Sequence, residues 1–326
     1  MGCGRVCEAA AKNTENNRSM SIVVVGTIGY DTVDTNHGSV SEALGGSASF
    51  FGLAARFFAP VSLVAAVGTD FKAEHWDLFR ERSIDMRGMA QIEGPTFRWH
   101  GRYHEDMNIR DTVSLALNVF DGFKPDLLPD QQRADYVFLS NISPDLQLHV
   151  LAQVASPKVV AADTMNHWIA NERPALLKLM PRLDLLTLND EEARMLSGEA
   201  NLVRAGRAIL KMGPDTVLIK RGEYGVLKFG ADAMFAVPAW PLEEVMDPTG
   251  AGDTFAGALM GWLARTGRVN EAILRTGIVY GSVLASFVVE RFSVDRLVSL
   301  TWEDIQERYR AFIELTDSHH SRWMSQ

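Results

Sequence analysis

Apolar segments of strand length alternate with helical segments through most of this 326-residue chain. Uninterrupted apolar runs suit strands that are buried on both faces of a parallel sheet. We predict such strands at 21–27, 61–67, 136–140, 158–163, 183–189 and 216–220. Helical spacing occupies segments between them, at 45–58, 71–82, 146–155, 171–179, 190–196 and 202–212. The alternation predicts an α/β fold, with a doubly wound, mostly parallel sheet and helices on both faces.

A second, antiparallel element follows the alternating region. We predict paired strands at 225–230 and 234–240, and two closing helices at 269–286 and 302–314. These elements extend and cover the predicted sheet, so that one large domain at 20–326 is expected.

The segment 95–104, PTFRWHGRYH, does not follow this alternation. In a strand, Phe97, Trp99 and Tyr103 would share one face, because successive side chains point to opposite faces. Arginine and histidine side chains would occupy the other face. We expect a lid over a substrate, an edge strand that packs its aromatic rings on its own sheet, or a contact between subunits.

The charge balance and the cysteines limit the class of protein. With 32 basic and 41 acidic residues, the net charge of −9 disfavours a broad nucleic-acid or anionic-membrane surface. Cys3 and Cys7 lie near the start, so the body of the chain lacks a disulfide framework and a Cys/His metal cluster. Residues 1–19 lack a signal-peptide core, and we find no apolar run long enough to cross a bilayer. We therefore expect a cytoplasmic protein in which residues 1–19 are a disordered tail or an extension upstream of a start at Met20.

The segment 245–258, VMDPTGAGDTFAGA, carries the most specific chemistry in the chain. Asp247 precedes a proline and is kept out of the helical region, whereas Gly250 and Gly252 let several N–H groups face one point. A helix start has unpaired N–H donors and a partial positive charge, so it binds phosphate or a developing oxyanion. Asp253 lies in this cradle, where a carboxylate with a low pKa can accept a proton from a hydroxyl. The motif predicts phosphoryl transfer to an alcohol, and a simple tight turn before a helix is the alternative.

The string DPTGAGDTFAGA resembles the C-terminal signature of the ribokinase (PfkB) family of sugar and nucleoside kinases. Matching motifs follow the family's order from about residue 21 to the last predicted helix. The resemblance implies a ribokinase-like fold whose small β lid comes from strands at about 30–40 and 95–115. It also implies ATP as co-substrate together with Mg²⁺, and a homodimer through the lid, because family lids often pair between subunits.

The resemblance assigns roles within the same segment. Asp253 would deprotonate the acceptor alcohol. The backbone N–H groups of Gly250, Ala251 and Gly252 would stabilise the transferring phosphoryl group. The implied reaction is ATP-dependent phosphorylation of a hydroxymethyl group, and ADP as the donor is left open.

Substrate-binding residues are implied at three further places. Gly45 and Gly46 match paired glycines that let the backbone approach substrate hydroxyl groups. Asp31 follows the first strand, at the sheet edge where α/β proteins bind ligands, and matches a family acid that holds hydroxyl groups. Asp163 and Asn166 resemble a D-x-N element that contacts substrate or phosphate. The structural alternatives are a tight turn for the glycines, an Asx turn for Asp31 and a turn cap for Asn166.

Candidate metal-binding residues follow from the same resemblance. Asn189 and Glu192 match a family asparagine and, three residues later, a glutamate that organises water around Mg²⁺, an ion that keeps several waters. Asn189 is thereby a nucleotide-binding candidate and Glu192 the metal-binding candidate. The alternative is an acidic first helical turn that complements the helix dipole. Asp247 and Thr249 are candidates for a K⁺ site.

Nucleotide-binding residues are implied in KRGEYG, residues 220–225, which resembles the family's T-x-G-x-x-G turn. Gly222 and Gly225 match its glycines, whereas Lys220 stands where threonine is common, so its role is left open between phosphate binding and covering the turn. Ser286 lies on an apolar helix where the family builds the wall of its adenine site. Small residues there are equally consistent with helix packing.

The acceptor is the least determined part of the function. Ser49 and Phe50 stand where ribokinase proper has an asparagine, which argues against ribose itself. The face formed by Phe97, Trp99 and Tyr103 suits either a nucleobase or the apolar face of a sugar ring. We favour a small sugar, because no residue clearly reads a base edge. A nucleoside is the first alternative, and a non-catalytic metabolite-binding regulator is the second.

Overall fold

The computed structural model describes residues 21–231 and 233–317, so the predicted tail at 1–19 and both cysteines lie outside the described residues. The strands in these ranges are Ile22–Val25 (β1), Gly29–Thr35 (β2), Gly38–Gly45 (β3), Val61–Gly68 (β4), Asp85–Ile92 (β5), Phe97–Tyr103 (β6), Arg110–Ala116 (β7), Tyr136–Leu139 (β8), Val159–Asp163 (β9), Leu185–Asn189 (β10), Thr216–Lys220 (β11), Val226–Gly230 (β12) and Met234–Val237 (β13). The α-helices in these ranges are Ser47–Ala55 (α1), Ala73–Glu81 (α2), Pro144–Leu151 (α3), Asn166–Asn171 (α4), Arg173–Leu179 (α5), Asp190–Ser197 (α6), Leu202–Leu210 (α7), Ala251–Thr266 (α8), Glu271–Val288 (α9), Asp295–Ser299 (α10) and Trp302–Thr316 (α11).

The large sheet has the order β13-β12-β11-β10-β9-β8-β1-β4-β5. The seven neighbouring strands β11, β10, β9, β8, β1, β4 and β5 are parallel. Strands β12 and β13 add an antiparallel end. The structure confirms the apolar runs as strands, because each contains a strand of this sheet. We did not predict β5. It lies at the edge, and its sequence DMRGMAQI is only partly buried, so it lacks a continuous apolar signal.

Helices cover both faces of the large sheet, as the sequence predicted. Alternate residues of β1 enter separate cores, with Ile22 and Val24 in one and Val23 and Val25 in the other. The first core is closed mainly by α1, α8, α9 and α11, and the second by α3 and α5 to α7. This is the doubly wound arrangement.

Helix α9 corrects the expectation that no apolar run in the chain is long enough to cross a bilayer. It has 18 residues with a mean hydropathy of 1.3, so by length and composition it is apolar enough to cross a membrane. Within the fold, 67% of it is buried, and it packs against α8 and α11. Burial among other helices is the environment of a core helix.

The predicted small β lid is a second sheet with the order β3-β2-β6-β7. Strands β2 and β6 are parallel, and the two outer pairs are antiparallel. The alternation predicted for β6 is present, because Phe97 and Tyr103 are buried while Arg102 is exposed. Gly45 ends β3 instead of beginning the following helix, which starts at Ser47.

Candidate active site

A cleft of about 1730 Å³ lies between the lid and the carboxyl ends of the parallel strands. Parallel strands end at the same edge of a sheet, so residues distant in sequence meet there. Most predicted site residues line this cleft: Asp31, Gly46, Trp99, Asp163, Asn189, Glu192, Lys220, Gly222, Gly225, Thr249, Gly250, Ala251, Gly252, Asp253 and Ser286. Gly45, Asn166 and Asp247 are not among its lining residues.

The anion loop, residues 247–253, turns sharply into α8. Gly250 has φ +77°, and a Cβ there would overlap the Phe50 ring, so both backbone and space require glycine. The helix begins at Ala251, and Asp253 lies in its first turn. The first N–H groups of a helix have no helical acceptor, so this turn can bind an anion from the cleft.

Asp253 has an electrostatic environment that the sequence did not predict. Burial raises the pKa of its carboxyl to about 7, and the Asp163 carboxylate adds to the rise, whereas Lys220 and Arg110 lower it. The expected low pKa was wrong, because desolvation and a neighbouring negative charge outweigh the helix N-terminus. A carboxylate with a pKa near neutrality is well matched to proton transfer from an alcohol.

Lys220 and Asp163 form a largely buried ion pair beside the anion loop. The Lys220 Nζ donates a hydrogen bond of 2.7 Å to Asp163 Oδ2. Burial lowers the pKa of Lys220, but the Asp163 and Glu192 carboxylates raise it above its usual value, so the ammonium stays charged. A Cβ on Gly252 would lie 2.9 Å from Nζ. The lysine therefore lies against the anion loop, with its charge next to the anion-binding turn.

Asn189 and Glu192 form a capping box at the start of α6. Asn189 Oδ1 accepts the Glu192 N–H at 2.8 Å, and Glu192 Oε2 accepts the Asn189 N–H at 2.7 Å. Burial and Asp163 raise the pKa of Glu192 to about 7, whereas Lys220 lowers it. These residues thus cap the helix and also line the cleft beside the Lys220–Asp163 pair.

Asp31 lies at the opposite wall, on β2 of the lid. Its carboxyl is buried, and burial raises its pKa to about 7 although the Gly46 N–H bonds to it. A Cβ on Gly45 would overlap the Asp31 carboxyl group. Gly45 therefore acts through the space that it leaves for Asp31, and this explains why it does not line the cleft itself.

The Asp247 carboxylate holds the anion loop in place by hydrogen bonds to two backbone N–H groups. Its Oδ1 accepts the Thr249 N–H at 2.8 Å, and its Oδ2 accepts the Ser293 N–H at 3.2 Å. The hydroxyl groups of Thr249 and Tyr103 share a hydrogen bond of 3.1 Å, which connects the loop to β6 of the lid. The predicted K⁺ site at Asp247 and Thr249 stays a prediction.

Asn166, a predicted substrate-binding residue, does not line the cleft, whereas Asn141, which we did not predict, does. Asn166 is exposed, and its side-chain oxygen accepts the N–H of the next residue, His167, at 2.8 Å. Asn141 lines the cleft and accepts a hydrogen bond of 2.9 Å from Trp168 Nε1. Asn141 follows the predicted strand at 136–140, so its position after a parallel strand was the signal that could have identified it.

The predicted nucleotide-binding turn, residues 220–225, contacts the lid. Gly222 and Gly225 both have positive φ, and a Cβ on Gly222 would overlap Asn108 Oδ1 in the lid hairpin. At the far wall, Ser286 Oγ donates to the Val283 carbonyl at 2.7 Å and accepts from Arg308 at 3.0 Å. The lid thus contacts this turn as well as the anion loop.

Comparisons with known proteins agree with this architecture. The chain is 31% identical over 266 residues to a cytidine kinase of Thermococcus kodakarensis, covering 79% of this chain and 94% of the relative. The crystal structure of Methanocaldococcus jannaschii nucleoside kinase matches with a TM-score of 0.70 at 19% identity, over 90% of this chain and 98% of that chain. A putative ribokinase II from E. coli, in complex with ATP and Mg²⁺, matches with a TM-score of 0.72 at 21% identity, over 90% and 99%.

The family match covers both sheets and the anion loop. The model described as pfkB family carbohydrate kinase matches residues 19–299. This range contains the cleft residues from Asp31 to Ser286. The protein therefore belongs to the pfkB family of carbohydrate kinases and is a phosphotransferase.

Proposed function

We propose that this kinase transfers the γ-phosphoryl group of ATP to the hydroxymethyl group of a nucleoside. The observation that carries the proposal is one continuous cleft that contains the anion loop, Asp253 and aromatic side chains. The aromatic residues Phe97, Trp99 and Trp168 all line this cleft. Aromatic rings stack on nucleobases with little dependence on the base. The similarity to a cytidine kinase supports a nucleoside over the free sugar favoured from sequence.

A sugar is the second candidate acceptor. Asp31 and Gly46 line the cleft. Both suit the hydroxyl groups of a sugar, and these are present in a free sugar as well as in a nucleoside. The structural likeness to a putative ribokinase II keeps this candidate.

In the proposed reaction, Asp253 accepts the proton of the acceptor hydroxyl as the hydroxyl oxygen attacks the γ-phosphorus, whose bond to the bridging oxygen of ATP breaks to release ADP. The N–H groups of Gly250 and Gly252 bind the transferring phosphoryl oxygens, whereas the predicted donor at Ala251 already donates its N–H to the Pro248 carbonyl at 3.2 Å. The charged Lys220 beside this turn adds a positive charge for the phosphates. Phosphoryl transfer relies on such positioning and neutralisation, so the arrangement supplies its main requirements.

ATP would lie along Gly222, Gly225 and Ser286, all of which line the cleft. Among the described residues, no group of three His, Cys, Asp or Glu side chains could hold a metal ion directly. This fits Mg²⁺, which keeps most of its waters and binds mainly to phosphates. Glu192 would hold it through water beside Asn189, a candidate for nucleotide binding, and the bound ion would neutralise phosphate charge.

We also propose a homodimer through the lid and a cytoplasmic location. Strand β7 is exposed along its length, with Val113 and Leu115 at 48% and 54% exposure. Exposed apolar residues on an edge strand suit pairing with a second copy. Sedimentation of the purified protein would test the dimer.

A coupled ADP-release assay tests the function. Mg·ATP is supplied with a panel of nucleosides and the matching free sugars, with and without K⁺, and the product is identified by mass spectrometry. Turnover with nucleosides but not with free sugars is expected. Turnover with sugars alone would select the second candidate. If ATP binds but no acceptor is phosphorylated, the nucleoside proposal is wrong.

A further inference from the structure

A β-bulge in the lid determines which side chains of β7 face the cleft. Gly101 of β6 pairs with Thr112 and the preceding residue pairs with Ser114, so Val113 is the extra residue. A bulge re-aims the side chains around it. Arg110 and Thr112 therefore share the cleft face with Leu115, although strict alternation would separate them.

This register brings Arg110 close to the anion loop. Arg110 lies directly opposite Tyr103, whose hydroxyl bonds to that of Thr249 at 3.1 Å. Its guanidinium lies 5.9 Å from the centre of the Trp99 ring. Its charge reaches the Asp253 carboxyl, where it opposes the rise in pKa that burial and Asp163 produce.

The arginines on the two faces of the lid differ in their partners. On the outer face, Arg98 forms 2.9 Å ion pairs with Glu42 and Asp70, and Arg102 lies 3.5 Å from Asp34. Within residues 21–231 and 233–317, Arg110 forms no ion pair with a carboxylate. Its charge is therefore available to an anion that enters the cleft.

We propose that Arg110 is a catalytic residue that binds the transferring phosphoryl group from the lid side, opposite the anion loop. A guanidinium presents several N–H donors in a plane that matches phosphate oxygens. The phosphoryl group carries negative charge throughout transfer, and donors already aimed at it stabilise the transition state. Because Arg110 belongs to the lid, the phosphoryl site is complete only when the lid covers the cleft. This inference rests on the proposed kinase reaction.

The test compares Arg110→Gln and Arg110→Lys with a matched control, Arg102→Gln, on the outer face of the same sheet. With the acceptor identified in the panel, Arg110→Gln should lower kcat by about 100-fold, the usual scale for one charge-stabilising donor. Its acceptor KM should change by less than about threefold. Arg110→Lys should have an intermediate kcat. In a third variant, Arg110→Ala, added guanidinium ion should partly restore kcat. Arg102→Gln should match the wild type.

Nucleotide binding by calorimetry provides a readout that needs no turnover. Arg110→Gln should weaken a non-hydrolysable ATP analogue by about tenfold and leave ADP nearly unchanged, because only the former carries the γ-group. A raised acceptor KM with normal kcat and unchanged nucleotide binding would overturn the inference, because Arg110 would then only support Trp99. Equal weakening of both nucleotides would also overturn it. If the wild type phosphorylates no acceptor, the reaction fails as a proposal, and the binding difference still decides the role of Arg110.

Discussion

The anion loop and the lid contribute to one cleft, but they are built differently. The anion loop is a contiguous segment, braced by Asp247 and followed by the buried helix α8. The lid strand β7 is exposed throughout and reaches the cleft only through its register with β6. A local sequence motif thus provides the acid and the anion site. An edge strand of the lid, positioned by its pairing with β6, provides the cover and a further charge.

The largest expected effect lies in the anion loop. Asp253→Asn should lower kcat by roughly two to four orders of magnitude, because the amide cannot accept the proton of the acceptor. Steady-state kinetics would measure this, and circular dichroism would check that the variant is folded. Near-normal kcat would remove Asp253 from the mechanism. It would also contradict the proposal that the anion loop, and not the lid, provides the catalytic acid–base group.

Asp31→Asn tests the buried acid on the lid side. Loss of a charged hydrogen bond to the substrate should raise the acceptor KM by about 10- to 100-fold, equivalent to about 1.5–3 kcal/mol. The same change should raise Tm at pH 8. The pKa of Asp31 is about 7 in the fold, so its ionisation opposes folding as pH rises from about 4 to 7, by at most about 4 kcal/mol.

The control for this prediction is a thermal scan at pH 4, below the folded pKa of Asp31. There the carboxyl is protonated in the fold, so wild type and Asp31→Asn should have similar Tm values. An equal gain at both pH values would show that the stabilisation has another cause than the charge.

The pH dependence of kcat/KM should report the ionisation of Asp253 in the anion loop. Since the carboxylate is the active form and its pKa is about 7, kcat/KM should rise with pH through about 7 and then level off. Lys220 lowers this pKa, so Lys220→Met should move the rise to higher pH. Substitution of Asp163 by Asn should move it to lower pH. Profiles that shift together in one direction would contradict the assigned charges.

The smallest effect is expected at the contact between the two regions. Tyr103→Phe removes the hydrogen bond to Thr249 and keeps the ring, so kcat/KM should fall only about two- to tenfold, equivalent to about 0.5–1.4 kcal/mol. Thr249→Val should produce a similar loss, and the double variant should lose no more than either single one. Additive losses would show that the two hydroxyl groups act separately.

Much of the site was predictable where its signal is local. The acid and glycines of the anion loop lie within a few residues, and the segment forms the same structure that its turn and helix signals predict. Arg110 carries no such signal, because the bulge opposite β6 decides which face of the lid it occupies. Strand alternation singled out Tyr103 but did not predict its partner, the Thr249 hydroxyl.

The sequence by itself determined the doubly wound sheet, its antiparallel end and the anion loop. Apolar periodicity and turn chemistry are properties of neighbouring residues, and burial of those residues selects the elements directly. Only the tertiary structure decided the bulge that aims Arg110 into the cleft, and the pKa of Asp253. Strand register and desolvation depend on which distant residues pack together, and no contiguous stretch of the chain encodes that packing alone.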